Sequence, residues 1–382
     1  MRIQRECRGC GAPLLRMVFA MDPMPLAGAF AETAEGALAA ERLPLTWLQC
    51  DICELVQVAE DVPDDVLFGA YCYASSDVPA LVSHFEAYAT FLAGRFPSPQ
   101  RVLEMGCNDG VLLRQLPASW ILVGVDPSDV AASGIEFEND WELINEPFGT
   151  ALGLHGYDLV LASNCLAHVT DIADCVEAAA CALKSGGEFW VEVHDLKATL
   201  QTGQWDTAYH EHKAEYSERS LANVVVPHGF SIVHVSYPSL HGGLLRMGFV
   251  KNGPGEPYDY YIGGKDRFAR LHQAYDGRRS SDLYQILECA IDRNEPLIAY
   301  GAAGRATVWF NQLPELRFAA VIDDSPLRAG RFVPGVGWPI VAWEDRPESA
   351  ACVITAWNYA EAIRARRSYE GRWLQTWEVD VP

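Results

Sequence analysis

Basic residues are scarce in this chain. Its 382 residues include 29 Lys and Arg against 51 Asp and Glu, which gives a formal net charge of -22. Such a charge repels the phosphate backbone of a nucleic acid, because binding there depends on cationic side chains. We therefore expect no nucleic-acid partner, and an anionic ligand would need a local pocket of arginines.

Long apolar runs are also lacking. No stretch approaches the roughly 20 apolar residues that a membrane-spanning helix needs, and residues 1–6 do not resemble a secretion signal. We expect a soluble, cytoplasmic protein with no membrane partner. In that reducing compartment, cysteines outside a metal site are expected to be free thiols.

Two C-x-x-C pairs are present, Cys7 with Cys10 and Cys50 with Cys53. Each short loop places two sulfur atoms on one side of a tight turn, so the four thiolates can close a tetrahedral zinc site. Four unrelated buried thiols are the alternative. Four thiolates leave no open coordination position, so we expect a structural zinc in a small domain, residues 1–65, that needs its metal to fold.

The next segment, residues 66–255, alternates strand and helix signals. Its short apolar runs occupy residues 101–105, 120–126, 157–164 and 188–194. A helix is expected to open at 111–116, after the first run. This alternation predicts a parallel sheet with ligands at the carboxyl ends of its strands. Two later runs, 230–237 and 244–250, flank a Gly-rich turn and predict a hairpin.

The run at 101–105 leads into a loop that carries the candidate cofactor residues Glu104, Gly106, Asn108, Asp109 and Gly110. The glycines are expected to let the backbone approach a ligand closely. Asp126, at the end of the next predicted strand, can accept hydrogen bonds from both hydroxyls of a ribose. A dinucleotide would need G-x-G-x-x-G, and a carboxylate at the helix start would repel pyrophosphate. S-adenosylmethionine suits this loop better.

Residues 204–212 contain candidate catalytic groups, with Tyr209, His210 and His212 inside four positions. An imidazole titrates near neutral pH and can remove a proton. A phenol can donate a hydrogen bond to a developing enolate oxygen. Two alternatives remain at this point: an H-x-H pair that binds metal, or a solvated loop whose histidines are incidental.

The last segment, residues 256–382, has a strand, a Gly301-Ala302-Ala303-Gly304 loop, a helix and a second strand between 296 and 324. This pattern predicts a second Rossmann-like fold. It is either a working nucleotide site or a wall of the substrate cleft. We favour the wall, because the third glycine of a dinucleotide loop is missing.

Several motifs are spread along nearly the whole chain. They are the C-x-x-C pairs, E-x-G-x-N-D-G at 104–110, SNCLAHV at 163–169, DTAYHEH at 206–212, HGG at 241–243, YGAAGR at 300–305 and IDDSP at 322–326. Together they resemble the zinc-containing, S-adenosylmethionine-dependent C-methyltransferases of dTDP-linked 4-keto-6-deoxyhexoses, which serve antibiotic sugar pathways. The resemblance implies an α/β protein with an N-terminal zinc-binding domain, a class I methyltransferase (Rossmann-like) middle domain and a second Rossmann-like C-terminal domain. The implied partner is a small nucleotide-linked sugar.

The same resemblance implies roles for single residues. Tyr209, Glu211 and His212 fall at the catalytic positions, with His212 as the base that removes the proton beside the ketone. Asn164 joins the cofactor-binding set. The implied substrate-binding residues are Tyr73, Ser76, His168, His241 and Arg246. A linker that packs one domain on the next is the alternative for the segment of Tyr73 and Ser76. Arg246 and Arg305 are possible phosphate contacts, and an ordinary surface arginine is the alternative for each.

Two departures from the family pattern stand beside the expected sugar pocket. Lys213 to Tyr216 adds two charges where the family usually has aromatic or small residues, and Leu244 replaces a small residue. A different ketone substrate is therefore one alternative function. An NAD-dependent oxidoreductase that uses the C-terminal domain is another, and the negative charge disfavours a zinc-ribbon adaptor without catalysis.

Overall fold

The N-terminal region is an antiparallel sheet. A computed structural model describes residues 2–68, 74–134, 141–253 and 267–377. The first elements are β1 (Arg2–Ile3), β2 (Leu15–Met24), α1 (Ala34–Leu38), β3 (Leu43–Cys50), β4 (Val56–Val58), β5 (Glu60–Asp61) and α2 (Asp64–Phe68). Strands β2, β3 and β4 pair in chain order, and β1 pairs with β5.

The middle region is a seven-stranded sheet. Its elements are α3 (Pro79–Arg95), β6 (Arg101–Met105), β7 (Ile121–Val125), α4 (Asp129–Gly134), β8 (Trp141–Ile144), β9 (Tyr157–Ser163), α5 (Ile172–Ala182), β10 (Leu183–His194), α6 (Leu196–Thr202), β11 (Ala214–Glu215), α7 (Glu218–Val225), β12 (Phe230–Ser236) and β13 (Leu244–Lys251). The order across the sheet is β12-β13-β10-β9-β6-β7-β8. Strands β6 to β10 pair in parallel, and β13 runs antiparallel to both neighbours. The predicted parallel sheet and hairpin are both confirmed.

The prediction of a helix at 111–116, after the cofactor loop, is wrong. Only one 3₁₀ turn, Leu113–Gln115, follows the loop. Leu116 is extended, with ψ 156°, because Pro117 disfavours a helical conformation at the residue before it. Leu112 and Leu113 are buried, at 1% and 0% exposure. Their burial accounts for the apolar residues in this run without a helix.

The C-terminal region is a five-stranded parallel sheet with helices. Its elements are α8 (Ala269–Asp276), α9 (Asp282–Asp292), β14 (Leu297–Tyr300), α10 (Gly304–Gln312), β15 (Ala320–Ile322), β16 (Ile340–Val341), β17 (Ala351–Ile354), α11 (Ala360–Arg366) and β18 (Arg372–Gln375). The order is β16-β15-β14-β17-β18, and every pairing is parallel. The second Rossmann-like fold is confirmed.

The three regions share their apolar cores. Cys7, Cys50 and Cys53 belong to the core formed by one face of the middle sheet. Trp47 belongs instead to a core with Trp309 in the C-terminal region. Strand β11 adds to the edge of the N-terminal sheet beside β4. The block at 204–212, which precedes β11, therefore packs between the N-terminal and C-terminal regions. The domain limits at residues 65 and 255 remain predictions.

Among the residues that the structure describes, no helix is both long enough and apolar enough to cross a membrane.

Candidate active site

A cavity of about 1090 Å³ lies where the three regions meet. Gly28 lines it from the N-terminal region and Arg305 from the C-terminal region. The middle region contributes the carboxyl ends of its parallel strands, where a doubly wound sheet holds its ligands. The predicted site residues that line this cavity are Gly106, Asn108, Asp126, Asn164, His168, Tyr209, Glu211, His212 and His241.

Asp126 anchors the loop that follows β6. Its Oδ2 accepts the backbone N–H of Asn108 at 2.9 Å. Its Oδ1 accepts the backbone N–H and the hydroxyl of Ser128, at 2.9 and 2.6 Å. A carboxylate has about four acceptor positions, so these three bonds leave room for a ligand hydroxyl on a side chain that faces the cavity. Asp126 therefore fits the ribose of S-adenosylmethionine.

The two loop glycines also meet close packing inside the protein. Gly106 has φ +64° and Gly110 has φ +76°, a region that favours glycine. A Cβ on Gly106 would lie 2.4 Å from the Cβ of Cys165, and one on Gly110 would lie 2.4 Å from the ring of Trp141. Gly106 lines the cavity, but Gly110 does not. Both glycines are thus required by close packing inside the protein.

Glu104, Asp109 and Ser76 lie behind the cavity wall. Burial raises the pKa of Glu104 well above its ordinary value, and the charges of Asp126 and Asp109 add to the effect. The backbone N–H of Ser76 donates to Asp109 Oδ2 at 3.0 Å. The bond between Ser76 and Asp109 holds the loop in shape, and none of the three residues lines the cavity. Tyr73 is outside the described residues.

Ser75, which the sequence reasoning missed, lines the cavity beside the cofactor loop. Its backbone N–H donates to the side-chain Oδ1 of Asn108 at 2.9 Å. The segment of Ser75 and Ser76 therefore packs on the cofactor loop through both of its backbone N–H groups. Its position one residue before the predicted Ser76 was the only signal in the sequence.

His212 is held in one tautomer. Its Nδ1–H donates to the carbonyl oxygen of Thr207 at 3.0 Å, which leaves Nε2 as an acceptor. The Tyr209 hydroxyl lies 2.5 Å from that Nε2. Burial lowers the pKa of His212 to about 3, so the ring is neutral at physiological pH and can accept a proton.

Three further imidazoles surround His212 or its neighbours. The ring centroids of His168 and His194 lie 5.1 and 5.2 Å from that of His212, and His241 stacks on His194 at 5.8 Å. Burial lowers the pKa of His168 to about 3 and that of His241 to about 4. His194 was not predicted as a site residue, although its position at the end of β10 was a signal.

Glu211 is tied to the N-terminal region. Its Oε1 accepts the backbone N–H of Gly28 at 2.8 Å. Its other oxygen is buried without a hydrogen-bond partner among the described residues, and burial raises the pKa of the carboxyl. Glu211 lines the cavity, but this second oxygen is itself shielded from solvent.

The two candidate phosphate-binding arginines both have protein partners. Arg246 forms an ion pair with Glu192 at 2.5 Å and does not line the cavity. Arg305 does line the cavity, but its Nη2 lies 2.7 Å from Asp206 and its Nη1 donates to the carbonyl of His241 at 3.0 Å. Arg305 thus joins α10 to the block that contains His212.

The two departures from the family pattern do not reach the cavity wall. The Lys213 ammonium is buried and bonds to Asp64 and to the Thr170 hydroxyl. Leu244 is fully buried on β13. Neither side chain lines the cavity, so both act on packing rather than by direct contact with a ligand there.

The C-terminal loop repeats the geometry of the cofactor loop, with one difference. Asp323 ends β15 and accepts the backbone N–H groups of Ala302 and Ser325, at 2.7 and 2.9 Å. It also accepts from the Arg328 guanidinium, whose Nε and Nη2 lie 3.0 and 2.9 Å from its Oδ1. Asp323 thus has four such contacts against three at Asp126, and its charge is paired with Arg328, which supports a wall rather than a second nucleotide site.

The four N-terminal cysteines form a cluster that can hold a metal ion. Their sulfur atoms all lie within 4.8 Å of one another, with Cys7 to Cys53 at 3.4 Å and Cys10 to Cys50 at 3.6 Å. A tetrahedral Zn–S distance of about 2.3 Å requires sulfur atoms about 3.8 Å apart. The donor set and its spacing fit zinc, which would be closed to substrate and structural.

Fold, cofactor loop and cysteine cluster together define a class of protein. Three family descriptions match the chain in order: "Putative zinc binding domain" at residues 7–68, "Methyltransferase domain" at 81–235 and "C-methyltransferase C-terminal domain" at 264–382. The chain is an S-adenosylmethionine-dependent C-methyltransferase, and its four-cysteine cluster lies in a zinc-binding N-terminal domain.

Among individual proteins, the chain is similar to the C-methyltransferase NovU of Streptomyces niveus. The two are 28% identical over 391 residues, which cover 94% of this chain and 91% of the relative.

Solved structures match the chain over about half its length. One is a magnesium protoporphyrin IX methyltransferase from Synechocystis with bound SAM, at 15% identity and a TM-score of 0.35, covering 45% of this chain and 79% of the other. Another is a SAM-dependent methyltransferase from Mesorhizobium loti, at 16% identity and a TM-score of 0.35, covering 44% and 99%.

Proposed function

We propose that this C-methyltransferase methylates the carbon next to the ketone of a nucleotide-linked keto-deoxysugar, with His212 as the base. The observation that carries the proposal is the state of His212. Its Nδ1–H is committed to Thr207, its Nε2 is an acceptor, and the ring lines the cavity. A neutral imidazole held in this way can remove a proton from a carbon acid.

Tyr209 is the matching hydrogen-bond donor. In the absence of substrate its hydroxyl lies 2.5 Å from His212 Nε2. When a ketone enters, we expect the hydroxyl to turn to the ketone oxygen, which frees Nε2 for the neighbouring C–H. Loss of that proton then leaves an enolate, whose negative oxygen Tyr209 stabilises.

S-adenosylmethionine, when bound, supplies the electrophilic methyl group. Asp126 would hold its ribose, and Asn108 and Asn164 line the same part of the cavity. The protein's task is to keep the substrate carbon, His212 and the methyl group close together and away from water. The walls contributed by all three regions serve this purpose.

The size of the cavity and the hydrogen-bonding groups in its wall support a large substrate that carries hydroxyl groups. A volume of about 1090 Å³ exceeds the 300–1,000 Å³ typical of a site for one drug-sized ligand, so it can hold a cofactor and a second molecule. The neutral histidines offer hydrogen bonds to sugar hydroxyls. Arg328 and Arg366 line the C-terminal wall, where they pair with Asp323 and Asp324, so a diphosphate would compete with these carboxylates for the two guanidinium groups.

Methyl transfer to a panel of ketones tests this proposal. The purified protein is incubated with S-adenosylmethionine and with dTDP-linked 4-keto-6-deoxyhexoses, and products are analysed by mass spectrometry and NMR. We expect a single added methyl group on the carbon beside the ketone. Methylation of other ketones alone would reject the sugar assignment and keep the class of enzyme.

A further inference from the structure

Glu215 is a buried carboxyl group directly behind His212. Its side chain is 1% exposed, and its Oε1 lies 3.4 Å from His212 Nδ1. Neither carboxyl oxygen has a hydrogen-bond partner among the described residues. A buried acid without partners is costly, so its position calls for an explanation beyond packing.

The strand geometry aims this carboxyl at the base. Residues alternate sides along extended chain. Ala214 on β11 and Tyr216, the residue just after β11, both pack into the core of the middle sheet. Glu215 points the opposite way. It lies across from Val56 on β4 and does not line the cavity. It therefore contacts His212 from the side away from the substrate.

Proton removal by His212 would produce a positive charge on its ring that has no partner in the proposed steps. Nε2 must take a proton from carbon, and the ring then becomes a buried imidazolium. Two features oppose this: burial, and the nearby positive charge of Arg305. A base with a pKa of about 3 has little driving force for proton removal, so the site needs an anion near the ring.

We propose that Glu215 is a positioning residue whose carboxylate is the counter-charge for the imidazolium that His212 becomes. This inference rests on His212 being the base. The substrate C–H bond breaks, the proton goes to Nε2, and the electron pair moves to the ketone oxygen. A carboxylate near Nδ1 stabilises that imidazolium, as the acid of a serine-hydrolase triad does for its histidine.

The ionisation of Glu215 then controls the rate. Burial raises the pKa of Glu215 to about 8, and Arg305 acts in the opposite direction. The groups that face it are His212 on its own loop and Arg305 on α10, which Asp206 neutralises. At pH 7 only about one molecule in ten carries the carboxylate. Proton removal should therefore rise about tenfold per pH unit up to about pH 8.

Solvent deuterium exchange tests this. The exchange rate at the carbon beside the ketone is measured by NMR with a dTDP-linked 4-keto-6-deoxyhexose, without methyl donor, from pH 6 to 9. The variants are Glu215→Gln, Glu215→Asp and His212→Gln. Glu60→Gln is the matched control, because Glu60 is also buried, at 4% exposure, but lies outside the cavity wall.

We expect Glu215→Gln to lose roughly 10² in exchange rate at pH 8, together with the rise between pH 6 and 8. Glu215→Asp should keep the rise at a lower rate, and Glu60→Gln should match the wild type. A Glu215→Gln protein with the wild-type rate and pH profile, beside an inactive His212→Gln, would overturn the role of Glu215 alone. Wild-type exchange in His212→Gln would overturn both assignments.

Thermal unfolding gives a second readout that does not depend on substrate. Glu215 keeps its proton in the folded protein up to about pH 8, whereas in the unfolded chain it ionises near pH 4.5. The wild type should therefore lose stability relative to Glu215→Gln as pH rises from about 5 to about 8. A difference in melting temperature that does not change over this range would contradict a buried, protonated Glu215.

Discussion

Replacing Asp126 with alanine should weaken cofactor binding strongly. The carboxylate already accepts three hydrogen bonds from Asn108 and Ser128, which leaves one acceptor position, and a second becomes free if the Ser128 hydroxyl turns away. One to two charge-assisted hydrogen bonds to ribose are at stake. At about 1.5–3 kcal/mol each, we expect a loss of about 2–4 kcal/mol, or roughly 30- to 1,000-fold in Kd.

Isothermal titration calorimetry with S-adenosylhomocysteine measures this loss. The matched control is Asp323→Ala, because Asp323 ends the equivalent strand of the C-terminal region and accepts the same kind of backbone N–H groups. Its carboxylate also pairs with both Nε and Nη2 of Arg328, so its removal should leave the affinity within about twofold. Equal losses in both variants, or none in Asp126→Ala, would refute the assignment of the ribose site.

Two further predictions concern stability. Cys50→Ser should lose zinc and several kcal/mol of unfolding free energy. Cys289→Ser changes an exposed thiol on α9 and should change neither quantity. Full zinc content in Cys50→Ser, measured by atomic emission, would reject the site. Gly110→Ala should cost about 2–4 kcal/mol in denaturant unfolding, because a Cβ would meet Trp141 at 2.4 Å. Gly153→Ala has φ +60° and open space and should cost about 1 kcal/mol; equal losses would contradict the packing argument.

Local patterns in the sequence predicted the sheets well. The run at 101–105 is β6, because a parallel strand buried on both faces requires a short, nearly continuous apolar run. The Gly301 loop and its flanking strands were found for the same reason. The helix after the cofactor loop was not, because the burial of Leu112 and Leu113 gives the same apolar run that a helix would.

Contacts between segments that are distant in the chain could not be predicted from the sequence. Arg246 was a candidate for phosphate binding, but Glu192, 54 residues away, lies opposite it across β10 and β13. Glu215 was noted only as one of two charges that depart from the family pattern, and the addition of β11 to the N-terminal sheet buries it against His212. The roles of such residues depend on which strand edges meet, and composition does not encode that directly.

The central claim is that His212 removes the proton, and solvent deuterium exchange without a methyl donor tests it most directly. The variant is His212→Gln, and the control is His210→Gln on the same loop, since His210 Nε2 bonds to the carbonyl of Pro44 and does not line the cavity. We expect His212→Gln to bind S-adenosylhomocysteine normally and to lose exchange by roughly 10² or more, while His210→Gln exchanges at nearly the wild-type rate. Exchange at the wild-type rate in His212→Gln would show that another residue is the base.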